Sequence, residues 1–119
     1  QAFGGPLSRF QALQWMIVDS YLDVQAMRSM SLQSLWQADQ GDLWALKVDP
    51  KLIQTVCALK VFCDEALYRV ADRAVQLHGA YGLSKDSGIE KIFRIARNLR
   101  IPGGTVEIQR VNIAKALGL

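Results

Sequence analysis

Three stretches of the sequence gather residue types that bind anions or rings. Gly103-Gly104-Thr105 sets two flexible residues and a hydroxyl just ahead of an apolar-periodic segment, so backbone N–H groups and the Thr105 side chain can converge on an anion at a helix start. The same residues also suit a plain tight turn. Gln76-Leu77-His78-Gly79-Ala80-Tyr81-Gly82 places an amide and an imidazole at a helix end, followed by backbone that can approach a ligand closely. By composition it equally reads as a glycine cap. Arg94, Arg97 and, less regularly, Arg100 recur at i, i+3 spacing, which suits phosphates or carboxylates across an interface. His78 is the only histidine and has no acidic or cysteine neighbour close in sequence, so it assembles no zinc set with Cys57 and Cys63. Those cysteines are six residues apart in a helical stretch, about 9 Å along the axis and on different faces, and are expected as unpaired thiols in a reducing compartment.

The elements that must position these residues are marked out by three prolines and nine glycines, which cluster into punctuation between four segments. The first runs from about Ser8 to Gln40 and is expected as one long helix, opened by a Ser8/Gln11 capping box and closed by Gly41. It carries two apolar stripes, Phe10, Leu13, Ile17, Val24 and Leu35 beside Trp15, Val18, Leu22, Ala26 and Met30. A bundle can bury only one of them, so the other should face more protein. Asp49-Pro50 then supplies an N-cap and a proline at the first helical position. Leu52, Val56, Leu59, Cys63, Ala66, Val70, Ala74 and Leu77 make one continuous stripe that should end at Gly79. A third, shorter helix is expected from Ser87, capped by its hydroxyl with Glu90 three residues on, and ends before Pro102. The last begins around Thr105 with Val106, Ile108, Val111 and Ile113. Strand-period alternation is absent, so the expected fold is all-α, an up-and-down four-helix bundle forming a single domain over residues 1–119.

Composition agrees with a packed domain: half of the 119 residues are hydrophobic, 21% are charged, and the net charge is +3. No run reaches the roughly 18 apolar residues a spanning helix needs, and the opening QAFGGPLSRF lacks a basic stretch leading into an apolar run, so neither a membrane association nor a signal peptide is expected. Residues 85–115 hold seven cationic side chains against three acidic ones, leaving the remainder slightly acidic. No aromatic interleaving or recognition-helix pattern accompanies those charges, and no nucleic-acid partner is expected.

Taken in order, the motifs resemble the C-terminal helical domain of the acyl-CoA dehydrogenase family over nearly the whole chain. Gln1 to Leu7 with Phe10-Gln11 is similar to R-x-x-F-G-x-x-L…Q, the arginine falling just before Gln1. Gln76 to Gly82 is similar to Q-x-x-G-G-x-G, Glu90 to Arg97 to E-x-x-x-R-D-A-R/K, and Gly104 to Arg110 to the end of E-G-T-x-E/Q-I-Q-R.

The resemblance implies a bundle that packs against an N-terminal helical domain and a β-barrel, and that forms homo- or hetero-oligomers with FAD at the subunit interface. By matching motif positions, Phe3 and Gln11 would touch FAD from one subunit, Gln76, Gly79 and Ala80 would line its adenosine and pyrophosphate side, and Thr105 and Glu107 would help hold it. Gly104 and Lys115 would lie on the substrate side, with Lys115 near the CoA phosphates. The implied reaction is α,β-dehydrogenation of an acyl-CoA thioester in fatty acid metabolism, a carboxylate taking the α proton while the β hydrogen leaves as hydride to the flavin. An electron-transfer flavoprotein or similar acceptor would follow, in the cytoplasm or a mitochondrial matrix. In most of the family the base is the Glu before G-T, but Gly103 stands there and glycine takes no proton; some branches place the base on an earlier helix, which would precede Gln1. Ala80 replaces the second Gly of a pair and Pro102 replaces a common aromatic. The alternative is a catalytically silent dehydrogenase-like domain serving oligomerisation or partner-subunit binding.

Overall fold

A computed structural model describes residues 4–41 and 49–119. Four helices account for the described chain: α1 (Gln11–Gln40), α2 (Pro50–His78), α3 (Ile89–Leu99) and α4 (Val106–Ala116), with short 3₁₀ turns at Leu7–Arg9, Gly79–Leu83 and Lys85–Ser87. No β-strand is present among the described residues. The fold is the expected all-α, four-helix one, and it is elongated, 62 × 27 × 24 Å.

Helix α2 forms as its sequence dictates. The Asp49 carboxylate accepts from the Lys51 N–H at 2.9 Å, Pro50 occupies the first turn, and Gly79 ends the helix at φ +58° with its N–H on the Gln76 carbonyl. Helix α4 is likewise capped, the Thr105 hydroxyl accepting from the Ile108 N–H at 3.3 Å. At α1 the expected Ser8/Gln11 box does not form. Ser8 lies inside the 3₁₀ turn, and a cap needs the extended backbone that Phe10 has instead. The Ser8 carbonyl accepts from the Gln14 side-chain amide at 2.8 Å. At α3 the Ser87 hydroxyl does accept from the Ile89 N–H, at 3.1 Å, but Gly88 at φ +69° intervenes and Glu90 faces Arg94 rather than turning back.

Packing converges on α2. It touches α1, α3 and α4, while no two of those three pack on each other among the described residues. Tyr68 of α2 meets Phe93 of α3 at 5.3 Å between ring centroids. The deepest residues are small, with Ala66, Ala71, Ala96 and Val106 at most 3% exposed. Small side chains let helix backbones approach closely, and the larger side chains remain toward solvent.

Neither expected stripe of α1 meets α2 as a unit: Leu13 of the first and Ala26 and Met30 of the second lie on the covered side, while the other members do not. Phe10, Ile17, Val24 and Leu35 are 37–62% exposed, and Trp15, Val18 and Leu22 lie in the same range, at 52–60%. The covered face runs through Leu13, Met16, Ser20, Asp23, Met27, Met30 and Ser34, spaced as a heptad seam. Ser20, Ser31 and Ser34 each donate their hydroxyl to the carbonyl four residues back, which consumes their polarity within α1. Asp23 crosses the seam to Arg69 Nη2 at 2.6 Å and Arg73 Nη1 at 2.7 Å. Gln37 and Gln40 line one cavity with Asp49 and Leu52 while Asp23 pairs with Arg69 and Arg73, so α1 runs antiparallel to α2.

Candidate cofactor site

The loop between α3 and α4 is built on glycine. Gly103 and Gly104 adopt φ +70° and +88°, conformations that other L-residues rarely take. A β-carbon on Gly104 would stand 2.7 Å from Nε2 of Gln109. Gln109 is buried, and its Nε2 donates to the Gly103 carbonyl at 2.9 Å and the Gly104 carbonyl at 3.4 Å. The loop is therefore folded back over its own helix and pinned there.

The first turn of α4 satisfies its own donors. The Val106 N–H bonds the Arg100 carbonyl at 3.2 Å and the Ile108 N–H bonds Thr105. Glu107 holds its carboxylate over its own backbone N–H and the Thr105 hydroxyl, and these two contacts, in that order, keep its carboxyl below the ordinary value. The donors left to a ligand are the N–H groups of Gly103, Gly104 and Thr105, which make no hydrogen bond among the described residues. An anion would sit against the loop ahead of the helix rather than on its first turn.

The second cluster lies at the far end of α2. Gln76, Gly79 and Ala80 are exposed, and the Gln76 amide has no partner among the described residues. Gly79 caps the helix and has open space around it, so the segment is a glycine cap and a ligand-accessible surface at once. Gly82 has a different reason to be glycine: a β-carbon there would stand 2.8 Å from the Val75 carbonyl oxygen. His78 donates from Nδ1 to the Ala74 carbonyl at 2.8 Å, leaving Nε2 as an acceptor toward solvent.

The antiparallel seam places the N-terminal end of α1, with exposed Gln11, at the same end as Gln76, Gly79 and Ala80. Phe3 lies outside the described residues. The α3–α4 loop instead meets α2 near Lys60, whose Cε is 3.9 Å from a β-carbon placed on Gly103. Lys60 and Gln76 are sixteen residues apart, about 24 Å along the helix. One chain thus presents two separate groups of candidate residues. Lys115 is exposed on the last turn of α4, about 15 Å from Thr105 along that helix, and makes no ion pair among the described residues. Of the three arginines, Arg94 and Arg97 face solvent. Arg100 turns inward, 5.8 Å over the Tyr68 ring and 3.7 Å from Glu65.

Among the described residues, unbonded backbone N–H groups at 103–105, unpartnered amides at Gln11 and Gln76, and glycine or alanine at 79, 80, 103 and 104 fit a ring-bearing diphosphate: amides orient rings, and backbone donors beside small residues receive phosphate charge. Sequence reasoning missed Lys60, Asp64, Glu65 and Gln109, which shape the loop. Only the four-residue spacing of Lys60 and Asp64 signalled a pair, and nothing signalled that Lys60 also reaches Leu99.

Comparisons with known proteins bear on the family and the fold. The family described as acyl-CoA dehydrogenase, C-terminal domain, matches residues 1–118. The chain is 38% identical over 117 residues to (R)-benzylsuccinyl-CoA dehydrogenase of Thauera aromatica, covering 98% of this chain and 27% of that protein. It is 34% identical to 3-sulfinopropanoyl-CoA desulfinase of Paraburkholderia xenovorans, covering 98% of this chain and 28% of that protein. Among solved structures, the FAD complex of PigA superposes with a TM-score of 0.88 at 27% identity, over all of this chain and 29% of that one. A structure of the electron transferring flavoprotein of Acidaminococcus fermentans superposes with a TM-score of 0.86 at 27% identity, over 98% of this chain and 29% of that one. The chain spans little more than a quarter of the length of the curated relatives it matches.

Proposed function

From its place in the acyl-CoA dehydrogenase family, to which it belongs as a C-terminal domain, we propose that this chain is the helical part of an FAD-dependent oxidoreductase acting on the α,β C–C bond of an acyl-CoA thioester, where it contributes cofactor-binding and subunit-interface surfaces. The observation that carries the reading is the Gly103-Gly104-Thr105 loop, with its positive φ angles and three unbonded N–H groups. When bound, FAD supplies the acceptor for the hydrogen that leaves the β carbon.

The chain's own residues bind and orient. The amides of Gln11 and Gln76 and the small residues Gly79 and Ala80 form one contact surface, and the 103–105 loop with Thr105 and Glu107 forms the other. Their separation suits a cofactor shared between subunits, consistent with a homo- or hetero-oligomer. Phe3 belongs with Gln11, while Gly104 and Lys115 belong to the acyl-CoA side. None of these groups takes the α proton. Gly103 has no side chain, and the Glu107 carboxylate is held by its own amide and by Thr105, which makes it a weaker base. The base comes from outside residues 1–119, and electrons leave to an electron-transfer flavoprotein or a similar acceptor.

The test is a flavin absorbance spectrum of the full-length polypeptide that contains this chain, followed by anaerobic addition of a panel of acyl-CoA thioesters. Bound flavin that bleaches supports the reading. Flavin that never bleaches favours the second reading, a silent dehydrogenase-like domain, which rests on the glycine at 103. Absence of flavin overturns the cofactor assignment.

A further inference from the structure

The α3–α4 loop is tied to α2 by one ammonium group. Lys60 Nζ donates to the Asp64 carboxylate at 2.6 Å and to the carbonyl of Leu99, the last residue of α3, at 3.1 Å. That carbonyl is one of the four a helix leaves without an internal partner, and a cation there also answers the negative end of the helix. The Lys60 stem continues beneath the loop, its Cε lying 3.9 Å from a β-carbon placed on Gly103. The lysine side chain is 24% exposed and the Asp64 side chain 13%, so the pair is partly shielded from solvent and salt. Gln109 also grips the loop, but it belongs to α4 and moves with it. Glu65 holds Arg110 at 2.6 Å and Arg100 at 3.7 Å, through longer and more exposed side chains.

We infer that Lys60 is a positioning residue for the cofactor loop: by holding the Leu99 carbonyl from α2, it sets the place of the Gly103-Gly104-Thr105 donors relative to the Gln76–Ala80 surface on the same helix. The inference rests on the assignment of those donors to FAD. Its first half, that the ammonium orders the loop, stands on the hydrogen bonds alone. Lys60 touches neither substrate nor flavin in this role and acts through the backbone it holds.

The experiment uses the full-length polypeptide with Lys60→Met, which keeps a stem of similar bulk and loses the donors, and Lys60→Arg, which keeps a cation able to reach a carbonyl. Amide hydrogen exchange of the cofactor-free protein is read at Ile101 and Val106, whose N–H groups bond the Asn98 and Arg100 carbonyls. The expected result is at least about a tenfold loss of protection at both in Lys60→Met, little change in the middle of α1, and recovery in Lys60→Arg. FAD titration is read alongside: dissociation about tenfold weaker in Lys60→Met, restored in Lys60→Arg, with a shifted visible flavin spectrum only in the methionine variant. Unchanged loop protection in a folded Lys60→Met overturns the inference, as does lost protection spread evenly over all four helices. Lost loop protection with unchanged FAD affinity overturns the positioning role. If the parent binds no FAD, the assignment of the site fails while the exchange data still decide whether Lys60 orders the loop.

Discussion

The side-chain amide of Gln109 lies 2.9 Å from the Gly103 carbonyl, so the helix that follows the loop reaches back to fix the first of the two loop glycines. Gln109 is buried, so its amide, if pushed aside, gives up the carbonyl bonds it makes to the loop. Changes in the loop therefore fall on this contact first.

Gly103→Ala and Gly104→Ala should separate for that reason. Both force an L-residue to positive φ, which costs about 1–2 kcal/mol. At 103 the new methyl meets only Lys60 Cε at 3.9 Å, whereas at 104 it stands 2.7 Å from Gln109 Nε2 and breaks the bonds that nitrogen makes. Urea unfolding should rank Gly104→Ala about 1 kcal/mol below Gly103→Ala. Equal losses would mean that Gln109 does not hold the loop.

Gly82→Ala should be costly without any ligand. The methyl would stand 2.8 Å from the Val75 carbonyl oxygen, which belongs to the backbone of α2 and cannot rotate away. A loss of about 2–3 kcal/mol in unfolding free energy is expected, as for an overpacked core. A loss below about 0.5 kcal/mol would contradict the close approach.

The polar seam predicts an acid limb. Asp23 is held below the ordinary carboxylate range, chiefly by the Arg69 hydrogen bond, with burial opposing and Arg73 assisting. A carboxyl lowered by folding contributes stability in full above its unfolded value of about 3.9, and loses that contribution as pH falls through the folded value. Asp23→Asn should cost about 1–2 kcal/mol at pH 7, because two guanidinium groups lose their partner, one of them 43% exposed and able to rehydrate. Unfolding free energies of parent and variant should converge as pH falls below about 4. Curves that stay parallel would remove Asp23 from the account.

The isolated 119-residue chain should self-associate. Trp15, Val18 and Leu22 are each more than half exposed along one side of α1, and Leu32, Leu35 and Trp36 continue the apolar surface beyond them. Light scattering at micromolar concentration is expected to give a dimer or larger, and Trp15→Glu with Leu22→Glu to shift it toward monomer. A monomeric parent would show that this surface needs the rest of the polypeptide to find a partner.

Legibility differed between elements for physical reasons. Helix α2 was readable to its ends because its cap, its proline, its stripe and its terminal glycine are all local in sequence. Helix α1 was readable as a helix, but its buried face was not. The residues that face α2 include Asp23 and Ser34, and Asp23 becomes a packing residue only through Arg69 and Arg73, 46 and 50 positions away. The glycine loop was visible as a candidate site. The first turn of α4 was not readable as self-satisfied, because that depends on how Glu107 and Thr105 fold together in space.

The arrangement of three helices around α2 governs how the protein can come apart. Since α1 shares no surface with α3 or α4 among the described residues, it can lift from α2 without opening the α2–α3 or α2–α4 contacts. Opening of that kind is a partial unfolding with its own free energy, below that of the whole molecule. The helix carrying Gln11 can therefore shift relative to the frame that carries Gln76 and the glycine loop without that frame opening.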